Sequence, residues 1–95
     1  MRFEFSRDIE TDIFNYYGTD QTMVVCMEEL SELIKEVSKY IRGKGNKHHL
    51  TEEIADVLIT IDELINLHDI REEDIQNQII YKQFRAARRM QGLEE

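Results

Sequence analysis

Two short acidic motifs hold the side chains best suited to chemistry. The first is Glu28-Glu29-Leu30-Ser31-Glu32 and the second is Glu52-Glu53-Ile54-Ala55-Asp56. Residues three apart on a helix lie on nearly the same face, so Glu29 pairs with Glu32 and Glu53 with Asp56. Leu30 and Leu33 flank the first pair, and Ile54 and Val57 flank the second, which sets the carboxylates at the edge of an apolar stripe. If the two helices pack antiparallel, four carboxylates converge. Anions gathered in that way repel one another unless a cation lies between them. A hard divalent ion such as Mg²⁺ suits the set, because it takes oxygen ligands and shares its sphere with water and substrate phosphates. Zinc prefers His and Cys. A di-iron bundle would want Glu-x-x-His pairs, which neither motif has, and His48, His49 and His68 stand elsewhere. No calcium-loop pattern of the EF-hand kind is present. Each pair taken alone reads most simply as a solvated acidic face. Two pairs on consecutive helices, both beside the core stripe, weigh against that simple reading.

The elements that must position these groups follow from periodicity. Ser6 to Tyr17 carries Ile9, Ile13 and Tyr16 or Tyr17 at helical spacing, predicting a short helix with Ser6 as its N-cap. Phe3 and Phe5, alternating with polar residues, suit a short extended arm before it. A long helix is predicted from Asp20 to Arg42, with the stripe Cys26, Leu30, Leu33, Ile34, Val37 and Ile41, a cap at Thr19 or Asp20, and an end at Gly43. A basic loop, Gly43 to His49, leads to a second long helix from Leu50 to His68. Asp69 with Glu72 resembles a capping box opening a third, Glu72 to Met90, with Ile75, Ile79, Phe84 and Ala87 inward. The expected fold is all-α: a helical bundle of three long helices plus a short N-terminal helix, completed by oligomerisation. One domain over 1–95 is expected, with 1–18 as arm and short helix and 19–91 as the bundle core.

Composition narrows the function classes. A chain of 95 residues with net charge −8 is repelled by nucleic acid and by anionic membranes, so neither is an expected partner. The single cysteine, Cys26, excludes an intrachain disulfide framework. No apolar run nears the roughly 20 residues of a membrane span, and the first residues lack a secretory h-region. A cytoplasmic location is the expectation. Lys82, Arg85 and Arg89 share one face of the last helix, a basic cluster on an acidic chain. Compensation of the helix dipole is the plainer account of such a cluster.

The order Glu28-Glu29-x-x-Glu32, spacer, Glu53-x-x-Asp56 resembles the metal-binding signature of the MazG-like nucleotide pyrophosphohydrolases. The resemblance runs from about Gly18 to Arg89 and includes the Ile54-Ala55-Asp56-Val57-Leu58-Ile59 run and the basic cluster. It implies Mg²⁺-dependent hydrolysis of nucleoside triphosphates, deoxy and modified ones included, to a monophosphate and pyrophosphate. Mn²⁺ would be a workable substitute. Glu29, Glu32, Glu53 and Asp56 would be the metal-binding and catalytic residues, Lys82 and Arg85 the phosphate contacts, and Gln21 and Tyr17 the base contacts. Core packing is the competing account of the tyrosines near Gly18. The family resemblance also implies a homodimer or homotetramer. The reading from another class is a non-catalytic helical oligomerisation module, which explains the stripes but not the aligned carboxylate pairs.

Overall fold

The computed structural model describes residues 3–93. Within them the protein is an all-α bundle of three helices, α1 (Arg7–Ile41), α2 (Lys47–Leu67) and α3 (Glu72–Met90). Ser6 opens α1 as expected, its side chain accepting from the amide of Ile9 at 3.3 Å. Asn46 opens α2 in the same way, accepting from His49 at 2.8 Å. Both side chains satisfy an amide that has no partner within its helix. Asn46 therefore draws Lys47, His48 and His49 into the first turn of α2, ahead of the start expected at Leu50.

The N-terminal helix expected over Ser6 to Tyr17 is not a separate element. Its residues run straight on into the next stretch through a non-helical kink at Gly18 (φ 81°, ψ 177°), so that α1 spans 35 residues from Arg7 to Ile41. That backbone region is open essentially to glycine alone. A Cβ at Gly18 would meet nothing within 4 Å, so conformation rather than space calls for glycine there. The hydroxyl of Thr22 donates to the carbonyl of Gly18 at 2.7 Å, satisfying an acceptor at the bend. Glycine at this position kinks a helix whose apolar pattern continues on both sides, and no cap at Thr19 or Asp20 forms.

The capping box expected at Asp69 and Glu72 also fails. Asp69 takes a left-handed conformation (φ 53°) just past the end of α2. The amide of Ile70 donates to the carbonyl of Ile65 at 2.9 Å, the reverse-turn closure of a Schellman motif. Gly43 after α1 and Gly92 after α3 fill the same role, with Lys44 to Lys39 and Leu93 to Arg88 both closed at 2.9 Å. Arg71 becomes the N-cap of α3 and makes no side-chain capping bond.

Helices α1 and α2 lie antiparallel against each other. The guanidinium of Arg7, at the start of α1, donates to both oxygens of Asp62 near the end of α2, through Nη2 at 2.8 Å and through Nη1. Nη1 also donates to Glu10 at 3.2 Å, and Asn66 donates to Asp62 at 3.3 Å. This polar staple is buried at Glu10 and Asp62. The apolar core behind it is thin: among the described residues only Cys26 and Val57 are buried hydrophobics. Helix α3 has no buried residue and packs along neither partner. The accessible surface is 7885 Å², against about 5,800 Å² for a compact monomer of this mass. The radius of gyration is 16.3 Å, against about 12 Å for a compact domain of this length. No helix among the described residues is long and apolar enough to cross a membrane.

The staple makes stability depend on pH. Burial first, then its hydrogen bond to Asp62, pushes the Glu10 carboxyl up to about 7. The hydrogen bonds from Arg7 hold Asp62 below its ordinary value. A raised carboxyl contributes stability that is full below its unfolded value and lost as pH rises through the folded one, whereas the lowered Asp62 loses its contribution as pH falls. The melting temperature should therefore decline from about pH 5 to pH 8 in the native protein. Glu10→Gln keeps a donor toward Asp62 at every pH, so thermal melts of that variant should show a shallower decline over the same range.

Candidate functional site

The antiparallel pairing of α1 and α2 brings the two acidic motifs opposite each other. Glu29 of α1 and Glu53 and Asp56 of α2 each place a carboxylate oxygen within 4.8 Å of the others. Oε2 of Glu53 is buried and has no hydrogen-bond partner. A buried acceptor without a donor is costly, and a bound cation is one way to satisfy it. The donor set is all oxygen, carboxylate and partly exposed, which fits a hard divalent ion. Burial, followed by the charge of Asp56, pushes the carboxyls of both Glu29 and Glu53 up. Each therefore contributes stability that is lost as pH rises through its raised value.

The fourth member of the sequence constellation, Glu32, is exposed and lies outside this close trio. It stands one turn further along α1, and its charge still acts on Glu53. Glu36, which the sequence reading passed over, is only 8% exposed and also acts on Glu53. Nζ of Lys39 donates to it at 3.3 Å. The signal for Glu36 was present: it follows Glu29 and Glu32 at seven and four residues, on the same helical face.

A cleft of about 350 Å³ opens beside the carboxylates. Glu29 and Asp56 line one part of it, and Tyr17, Gln21, Thr22 and Val25 from α1 line it together with Ile59, Thr60 and Glu63 from α2. The two residues singled out for base contact thus share a cavity with two of the carboxylates. The bend at Gly18 lies between Tyr17 and Gln21, so it shapes this wall of the cleft. Thr60 and Glu63 were missed by the sequence reading. They follow Asp56 at four and seven residues, so helical phasing alone places them on the motif's face.

Lys82 and Arg85 are not brought to the carboxylates within one chain. They lie on α3, and no residue of α3 lines any of the three cavities described along α1 and α2. The guanidinium of Arg85 instead sits over the ring of Tyr81, 5.9 Å from its centroid.

Residues 18–88 match the sequence profile of the MazG nucleotide pyrophosphohydrolase domain. No curated protein and no solved structure matches the chain.

The repulsion at the trio yields a two-sided expectation for Glu53→Gln. Without added metal, the variant should melt at a higher temperature than the native protein, because one of several mutually repelling anions is gone. With millimolar Mg²⁺, the native protein should gain stability by mass action and the variant should gain little. Differential scanning calorimetry with and without Mg²⁺ measures both. Equal Mg²⁺ responses in the two proteins would remove Glu53 from the cation site.

Proposed function

The chain belongs to the MazG nucleotide pyrophosphohydrolase family, and from that membership we propose that it hydrolyses nucleoside triphosphates to a nucleoside monophosphate and pyrophosphate with Mg²⁺ as cofactor. The observation that carries the reading is the trio of Glu29, Glu53 and Asp56 with its unpartnered Glu53 oxygen, beside a cleft of about 350 Å³ that Glu29 and Asp56 help to line. Glu29, Glu53 and Asp56 would hold the ion with Glu32 from the next turn, and Mg²⁺ (or Mn²⁺) bound there supplies charge neutralisation and a more acidic water.

The chain's own residues account for the rest. Phosphoryl transfer asks for positioning and charge stabilisation more than covalent help. Water attacks the α-phosphorus, the α–β anhydride bond breaks, and pyrophosphate leaves with the bonding electron pair. The cleft walls hold the nucleoside, with Gln21 and Tyr17 toward the base, so that the α-phosphate lies at the carboxylate end. Lys82 and Arg85, which one chain does not bring to the carboxylates, would come from a second copy and offset the charge that builds on the departing pyrophosphate. A cytoplasmic location accords with the nucleotide pool such an enzyme would draw on.

The test is pyrophosphate release from a panel of nucleoside triphosphates, with and without Mg²⁺. Release should require the ion and nearly vanish in Glu53→Gln. Lys82→Ala should lower kcat/KM by about a hundredfold, the scale of losing one preorganised charge contact. A native protein that releases no pyrophosphate from any nucleotide, yet self-associates, would favour the non-catalytic oligomerisation module.

Assembly belongs to the same proposal. The accessible surface of 7885 Å² exceeds that of a compact monomer by roughly 2,000 Å². Much of the excess is apolar: Ile79, Ile80, Tyr81 and Phe84 on α3 and Ile34 and Ile41 on α1 are all exposed. A homodimer, or a homotetramer of two dimers, would cover these faces, and a two-fold arrangement is the commonest way to do so. Sedimentation equilibrium at micromolar protein should give at least the dimer mass. A folded, active monomer at that concentration would refute assembly and the role of Lys82 and Arg85, and leave hydrolysis at the carboxylates standing.

A further inference from the structure

The inner part of the cleft carries polar groups that neither the metal site nor the fold uses. Glu63 is half-buried, lines this cleft and the adjoining cavity near Arg7 and Phe14, and has no hydrogen bond or ion pair among the described residues. Thr60, one turn before it, is only 3% exposed, lines the cleft, and its hydroxyl likewise lacks a hydrogen bond. Both groups are open to the cleft rather than sealed from it, so a ligand seated there can take up their unused bonding capacity.

Resting on the reading of this cleft as a nucleotide site, we propose that Glu63 makes it selective for guanine bases. The placement is right for a base contact. Asp56, Thr60 and Glu63 follow one another along one face of α2. Asp56 and Glu63 are separated by about 10 Å of helix rise, comparable with the span from a nucleotide's α-phosphate to the far edge of its purine. An α-phosphate at the Glu29 and Asp56 end therefore sets the base's outer edge beside Glu63.

The chemistry then selects among bases. An ionised carboxylate only accepts hydrogen bonds. Guanine presents two adjacent donors, N1–H and the 2-amino group, which a carboxylate takes with one oxygen each. Adenine and cytosine set a single amino group beside an unprotonated ring nitrogen, whose lone pair would face the carboxylate. Uracil and thymine flank their one N–H with two carbonyl oxygens. Gln21, on the opposite wall, carries the amide donor that guanine O6 needs. Burial and the neighbouring Asp62 charge push the Glu63 carboxyl up, a strain that two N–H donors from a ligand relieve.

The experiment compares kcat/KM for dGTP, dITP, dATP, dCTP and dUTP in the native protein and in Glu63→Gln. Inosine lacks only the 2-amino group. Losing one hydrogen bond to a charged acceptor costs roughly 10- to 100-fold, so dGTP should exceed dITP by that factor and should exceed the other three as well. In Glu63→Gln the dGTP-to-dITP ratio should fall toward one. Equal turnover of dGTP and dITP by the native protein, or an unchanged ratio in the variant, would overturn guanine selection and leave the pyrophosphohydrolase reading intact. Absence of hydrolysis for every nucleotide would overturn both. The native dGTP-to-dITP ratio needs no variant, so a poorly folding Glu63→Gln does not decide the question.

Discussion

The contact between α1 and α2 is the constraint from which the rest of the molecule follows. It must bury enough apolar surface to hold two long helices together while bringing like charges face to face. Cys26 and Val57 supply the buried apolar contact, and Glu29, Glu36, Glu53 and Asp56 crowd the same stretch of the seam. An acidic stretch of that kind opposes the pairing of the helices that carry it. The staple of Arg7, Glu10, Asp62 and Asn66 lies at the other end of the seam, where a charged hydrogen-bond network fixes the register. One end of the hairpin is thus tied by opposite charges, while at the other like charges face each other, an arrangement that concentrates instability at the carboxylates.

Legibility from the sequence tracked how local each cause was. The helical content, the Ser6 cap and the pairing of the two acidic motifs rest on residues a turn apart, and these emerged from spacing alone. The N-terminal boundary did not. Gly18 is a break signal in any sequence reading, yet the chain resumes its helix at once because the residues beyond it have partners along α2. Asp69 misled in a similar way. An aspartate three residues before a glutamate fits a helix start, but the same side chain also tolerates the left-handed conformation that ends a helix, and the closure from Ile70 to Ile65 uses it so.

Within the site, the difference between Glu29 and Glu32 could not be read from the sequence. Both share a face of α1, but a packed partner helix admits only part of that face to the close contact, and which part depends on the crossing of the two axes. Glu53 and Asp56 meet Glu29, while Glu32 acts on Glu53 from the next turn. The same reasoning explains why Glu36, Thr60 and Glu63 went unnoticed. They extend the motif faces by further turns, and a pattern of three-residue pairs stops one turn too early.

The distribution of polar groups along that face then gives the cleft a direction. From Asp56 through Thr60 to Glu63, α2 presents a carboxylate, a hydroxyl and a second carboxylate in separate helical turns, and α1 answers with Glu29, Val25 and Gln21 running the opposite way. The surroundings of the two carboxylate ends differ. At Glu29 and Asp56 several anions crowd within a few ångströms, which favours a cation and the phosphates it carries. At Glu63 the facing wall of the cleft offers Gln21 and Thr22, while the charges of Glu10 and Asp62 lie to its other side, an environment that suits N–H donors. A nucleotide has this same polarity, with charge at one end and a hydrogen-bonding base at the other. Antiparallel helices with motifs on matching faces are enough to build such a cleft, and the kink at Gly18 turns the first part of α1 so that Tyr17 closes it.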